Sequence, residues 1–195
     1  MVVIRGEEAD IEGVLEVAKL MCVSARTAPK TYGVDDILTA IITGEDKDKL
    51  ADEMEKYSEE HGEDYWWVKR DAENVRNSAA VVLIGVRGTK SAEGLNCGAC
   101  GYPSCAEMEK AVKTKGKDFI GPNCMYKLLD LGIAIGSAVK TASIHNVDNR
   151  VMTSVGTAAM RLGLMPEASV IMGIPLAALG KNPYFDRRGK RRYLQ

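Results

Sequence analysis

Four cysteines, Cys97, Cys100, Cys105 and Cys124, carry the clearest chemistry in this 195-residue chain. They are spaced Cys-x2-Cys-x4-Cys-x18-Cys. Three thiols in one tight loop and a fourth further along can surround a cubane, one thiolate to each iron. The same four could close a tetrahedral zinc site, although structural zinc more often draws on two short paired knuckles and the second pair is absent here. Unligated thiols are the third outcome that spacing alone leaves open. Gly98 and Gly101 keep bulky side chains out of the loop, so backbone N–H groups can approach cluster sulfurs, and Pro103 stiffens the turn. With Cys22 the chain has five cysteines. An odd, clustered set suits a metal site better than a disulfide framework and implies a reducing, cytoplasmic setting.

The residues between the cysteines narrow this. CGACGYPSCAEMEKAV, with Cys124 downstream, resembles the four-cysteine iron–sulfur domain found in electron-transport complex subunits and in the corrinoid iron–sulfur protein. The resemblance runs from Asn96 to Cys124 and implies a [4Fe–4S] cluster on the four cysteines. It further implies a redox partner protein or a small-molecule electron acceptor. One feature departs: that domain places Pro-Gly-Gly after its last cysteine, whereas here Gly121, Pro122 and Asn123 precede Cys124.

Weaker candidates are scattered. Cys22 lies at helical spacing with Ala18 and Met21, as a core thiol does. Arg26 and Lys30, with Ser24, Thr27 and Thr31 beside them, could grip a phosphate or acidic ligand, or form a solvated basic loop. His145 and Asp148 could act as acid and base but have no nucleophile or metal partner nearby in sequence. Lys181 and Asn182 in GKNPYFDR form a polar turn, either one where Gly180 lets the backbone approach a ligand or a turn into the tail anchored by Tyr184 and Phe185. Trp66 and Trp67 read as core or dimer-face aromatics or as flavin-stacking residues, and the basic run from 187 to 192 as a solvated tail or a docking element for an acidic partner.

The elements that position these residues follow from periodicity. Ile11 to Cys22 is an amphipathic helix and Ser24 to Gly33 a loop. Ile37 to Ile42 is a strand, Glu45 to Tyr57 a helix with acidic residues in its first turn, and Ala79 to Val86 an interior strand. Arg87 to Asn96 is a polar loop, and a short helix covers roughly Ser104 to Thr114. Tyr126 to Ile144 and Arg150 to Leu164 are helices, the second ended by Gly163, and Ser169 to Ile174 is a last strand.

That order, with an Ala-Pro loop after the first helix and AAMRLGL at the end of a later one, resembles the flavin-binding nitroreductase superfamily. The resemblance implies an α+β, nitroreductase-like core of helices packed on a small sheet, a homodimer, and an FMN whose phosphate would meet Arg26, Thr27 and Lys30. The core comprises 1–95 and 125–195, with the cluster region 96–124 inserted. Over most of its length, including GIPLAALGKNPYFDR, the chain resembles the uncharacterised proteins described as containing a ferredoxin domain.

Charge points elsewhere than nucleic acid: 26 Lys and Arg stand against 27 Asp and Glu. The apolar stretch Leu128 to Ile144 contains Asp130, Lys140, Gly132 and Gly136, so it reads as a buried helix and not as a membrane span. The opening MVVIRGEE has no apolar segment that would mark it for export.

Overall fold

The computed structural model describes residues 3–92 and 94–185. Its centre is a four-stranded antiparallel sheet in the order β1 (Ile37–Ile42), β2 (Ala80–Val86), β6 (Val170–Ala177), β5 (Asp148–Asn149). β2 is flanked on both sides, with Ile37 opposite Val86 on one edge and Val86 opposite Val170 on the other. A strand so enclosed is buried along its whole length, which is why AVVLIGV reads as a continuous apolar run.

Alternate β2 residues serve two cores. Ala80, Val82, Ile84 and Val86 meet α1 (Gly6–Thr27) and α5 (Met125–Ile144), while Val81 and Leu83 meet α2 (Gly44–His61), α3 (Trp66–Arg76) and α6 (Thr153–Arg161). Helices thus cover both faces of the sheet. α6 lies very close to it: a Cβ on Gly156 would stand 1.8 Å from the Ile171 carbonyl oxygen. Gly156→Ala would therefore force the helix off the strand.

Several boundaries differ from the expectations. α1 starts at Gly6, where Glu7 and Glu8 in the first turn favour the helix dipole, and runs on past Cys22 to Thr27 with Arg26 in its last turn, so the expected loop shrinks. It ends at Ala28, which precedes Pro29 and is held extended (ψ 144°). Its buried line is Val14, Val17, Ala18, Met21 and Ala25, with Ile11 exposed. α2 runs on to His61, where Gly62 at φ 82° ends it. α3 had no counterpart among the expected elements, and it holds Trp66 exposed beneath the Arg70 guanidinium, so Trp66 is not a core residue. α6 is shorter than expected, and β6 continues to Ala177.

α5 is not buried all round. Leu131, Ala134, Ala138 and Ala142 face the sheet, whereas Leu129, Gly132, Ile133 and Gly136 form an exposed apolar stripe at helical spacing. No helix among the described residues is long and apolar enough to cross a membrane. The basic run from 187 to 192 lies outside the described residues.

Candidate iron–sulfur site

Between β2 and α5 the chain leaves the sheet, forms α4 (Cys105–Lys110) and the small hairpin β3 (Thr114–Lys115) and β4 (Ile120–Gly121), and returns. Cys97, Cys100, Cys105 and Cys124 all line one hollow in this excursion, with Ala92, Met108 and Tyr126 among its apolar walls. Cys97 is exposed, Cys100 and Cys105 are half-buried and Cys124 is buried. The four expected ligands therefore converge, although they come from segments up to 27 positions apart in sequence (124 less 97).

Each is placed by a local device. Gly101 N–H donates to the Gly98 carbonyl at 2.9 Å, and both glycines have positive φ, so the loop turns back on itself between Cys97 and Cys105. Cys105 opens α4 behind Ser104, whose hydroxyl accepts the Glu107 N–H and donates to the Glu107 carboxylate. Asn96, held at φ 47°, clasps Cys105 twice: its carboxamide oxygen accepts the Cys105 N–H at 2.8 Å, and its own N–H points at the Cys105 sulfur at 3.2 Å.

Cys124 sits immediately before α5 and is anchored to the sheet. Its N–H donates to the Gly88 carbonyl at 2.7 Å. Asn123 accepts from the Ser169 hydroxyl at 2.6 Å and donates to the Ile120 carbonyl at 2.6 Å, and Gly88 N–H donates to the Ser169 hydroxyl oxygen at 2.9 Å. A Cβ on Gly88 would lie 2.4 Å from Asn123 Oδ1. Sequence reading missed Asn96 at Cys105, and at Cys124 it missed Gly88, Asn123 and Ser169. The signal of the last three is a contact between segments 81 residues apart, which no local pattern carries.

The hairpin reaches across to the other helical layer. Asp118 accepts from the Tyr57 hydroxyl at 2.8 Å and the Thr157 hydroxyl at 3.2 Å, and the Lys117 ammonium lies 4.0 Å over the Tyr65 ring. Burial first, and then the Asp118 carboxylate, push the Tyr57 phenol well above its ordinary value, so it remains a donor.

The remaining candidates are placed as follows. Burial pushes the Cys22 thiol up, opposed in part by Thr39 and Arg26, and from its place on α1 it packs against the core. Arg26 and Lys30 come together on Asp35, and Lys30, its side chain only 4% exposed, also donates to the Ala25 and Arg26 carbonyls at the end of α1. Thr27 donates back to the Val23 carbonyl. His145 is exposed, while Asp148 accepts from Asn182 at 2.7 Å. Asn182 also accepts the Tyr184 N–H, which fixes the GKNPYF turn and buries Tyr184 against Ser78. Lys127 is fully buried and pairs with Asp36 at 2.9 Å.

The family described as "Uncharacterized protein containing a ferredoxin domain" matches residues 120–187, and an Fe–S cluster family matches 93–119. An uncharacterized protein of Archaeoglobus fulgidus is 48% identical over 180 residues, covering 92% of this chain and 95% of its own. The chain belongs to this ferredoxin-domain family. In fold it is nitroreductase-like. A nitroreductase with bound FMN from Desulfitobacterium hafniense superposes with a TM-score of 0.52 at 12% identity, over 92% of this chain and 87% of the other. An FMN- and NADPH-dependent nitroreductase from a sphigopyxis species gives the same TM-score, identity and coverage. The ferredoxin-domain family member thus joins a segment matched by an Fe–S cluster family to a nitroreductase-like frame.

Proposed function

We propose that Cys97, Cys100, Cys105 and Cys124 hold a [4Fe–4S] cluster and that the protein transfers single electrons through it. The observation that carries this reading is the convergence of all four thiols on one hollow, from a loop and from the start of a long helix. Four thiolates are the donor set such a cluster takes, and when bound it supplies a one-electron centre. Among the described residues no three His, Cys, Asp or Glu side chains form a group for a single metal ion.

The chain's own residues shape the transfer. Cys124 is buried and tied to the sheet, which fixes the site to the core. Exposed Cys97, with the uncharged and exposed Gly98, Ala99, Gly101 and Pro103, leaves the opposite side open to close approach by a redox protein or small acceptor. Anaerobically purified protein is expected to be brown and to contain about four iron and four sulfide per chain. Stoichiometric zinc without sulfide would refute the reading.

A second reading adds FMN in the core as the partner centre of an oxidoreductase. It is supported by the fold, since the solved structure from Desulfitobacterium hafniense is described with bound FMN. For Arg26, Thr27 and Lys30 to take the flavin phosphate, that phosphate would have to displace Asp35 from the two cations. Flavin titration of the wild type and of the Arg26→Ala, Lys30→Ala double variant tests it: uptake by the first and not by the second is the expected result.

A further inference from the structure

We propose that Asn96 is the positioning residue that holds Cys105 for the cluster and that the neutrality of its side chain keeps the cluster's reduction potential from falling, an inference that rests on the cluster reading above. Among the described residues Cys105 is the one of the four thiols that receives a backbone N–H, at 3.2 Å from Asn96. Such a bond stabilises the more negative, reduced form and so raises the potential. The bond needs Asn96 in the left-handed region, at φ 47°, where a Cβ-bearing residue other than Asn or Asp is strained. The same residue's carboxamide oxygen fixes the Cys105 N–H at 2.8 Å, so one side chain and one backbone amide grip the ligand from both sides.

Three residue types tolerate this backbone, and they differ in chemistry. Glycine keeps the conformation and the bond to sulfur but cannot accept the Cys105 N–H. Aspartate keeps the acceptor but adds a negative charge beside the cluster. Asparagine alone combines an acceptor with neutrality. Asn96 is also exposed, so a charge placed there would be screened by salt.

The test compares wild type, Asn96→Asp and Asn96→Gly, each reconstituted anaerobically and checked for fold by circular dichroism. Asn96→Asp is expected to lower the potential, measured by mediated titration followed by electron paramagnetic resonance, with an unchanged line shape and a difference that shrinks as salt rises. Asn96→Gly is expected to release iron to a chelator about tenfold faster or more, the range seen when outer partners of metal ligands are removed. A wild-type potential for Asn96→Asp at low salt, or a wild-type release rate for Asn96→Gly, would overturn the assignment and leave the cluster standing. A wild type without iron and sulfide would overturn both.

Discussion

A thiolate and a hydroxyl differ less in size than in softness, and iron in a cluster discriminates between them. Replacing Cys97, Cys100, Cys105 or Cys124 singly by Ser should therefore bleach or convert the cluster, read as loss of iron, sulfide and visible absorbance. Four variants with full colour would break the ligand assignment. Cys22→Ala should leave iron and sulfide unchanged and cost on the order of 1 kcal/mol in denaturant unfolding, because its thiol packs against the core and burial favours its protonated form. The ligands were legible because their chemistry is written in residue type and short spacing. Arg26 and Lys30 were legible as a pair of cations but not as partners of Asp35, since sequence shows a charge without showing what neutralises it. Burial works to raise the Asp35 carboxyl, but the Arg26 guanidinium, the Ile37 N–H and the Lys30 charge outweigh it and hold it below the ordinary carboxylate range. A depressed folded-state value contributes stability that is fully present above about pH 4 and lost as pH falls through that value. Asp35→Asn should lose on the order of 1 kcal/mol at neutral pH, and the deficit should narrow in acid unfolding curves.

At the scale of elements, the three long strands and the long helices declared themselves by their apolar patterns, whereas α3 and the two-residue strands β3, β4 and β5 did not. The buried side of α3 includes Asp71 and Asn74 beside Val68, Ala72 and Val75, and its exposed side includes Trp66, so the apolar pattern is blurred in both directions. Asp71 is satisfied there by Arg70 and by the Ser154 hydroxyl on α6, a tertiary contact that periodicity cannot register. The joint between the cluster segment and the sheet was invisible for the same reason. Gly88 lies where β2 leaves the sheet and offers its carbonyl to Cys124, with Asn123 and Ser169 packed against its bare Cα. Gly88→Ala should push these side chains apart, destabilise the protein by about 1–3 kcal/mol and lower cluster occupancy, because the displaced element carries a ligand. Iron per chain and a denaturant midpoint measured on the same preparation check it, and wild-type values for both would show the joint to be slack.

The exposed stripe of α5 belongs to the scale of the whole molecule. The sequence suggested a helix apolar on most sides and hence buried on most sides, but one chain covers only the side bearing Leu131, Ala134, Ala138 and Ala142. Leu129 and Ile133 remain about half exposed, at 52% and 47%, with Gly132 and Gly136 between and beyond them. Small residues beside branched apolar ones let a second helix approach closely, and a patch of this kind is what an isologous contact between two copies would bury. We therefore expect a homodimer joined through α5. The same helix begins immediately after Cys124, so the contact would also stiffen the element that a cluster ligand caps. Light scattering of the anaerobic protein should give twice the chain mass. Leu129→Glu combined with Ile133→Glu should give the single-chain mass with iron and sulfide retained, since neither side chain touches the four thiols' hollow. A wild-type monomer would remove the dimer, and a double variant that stays dimeric would place the contact on another face.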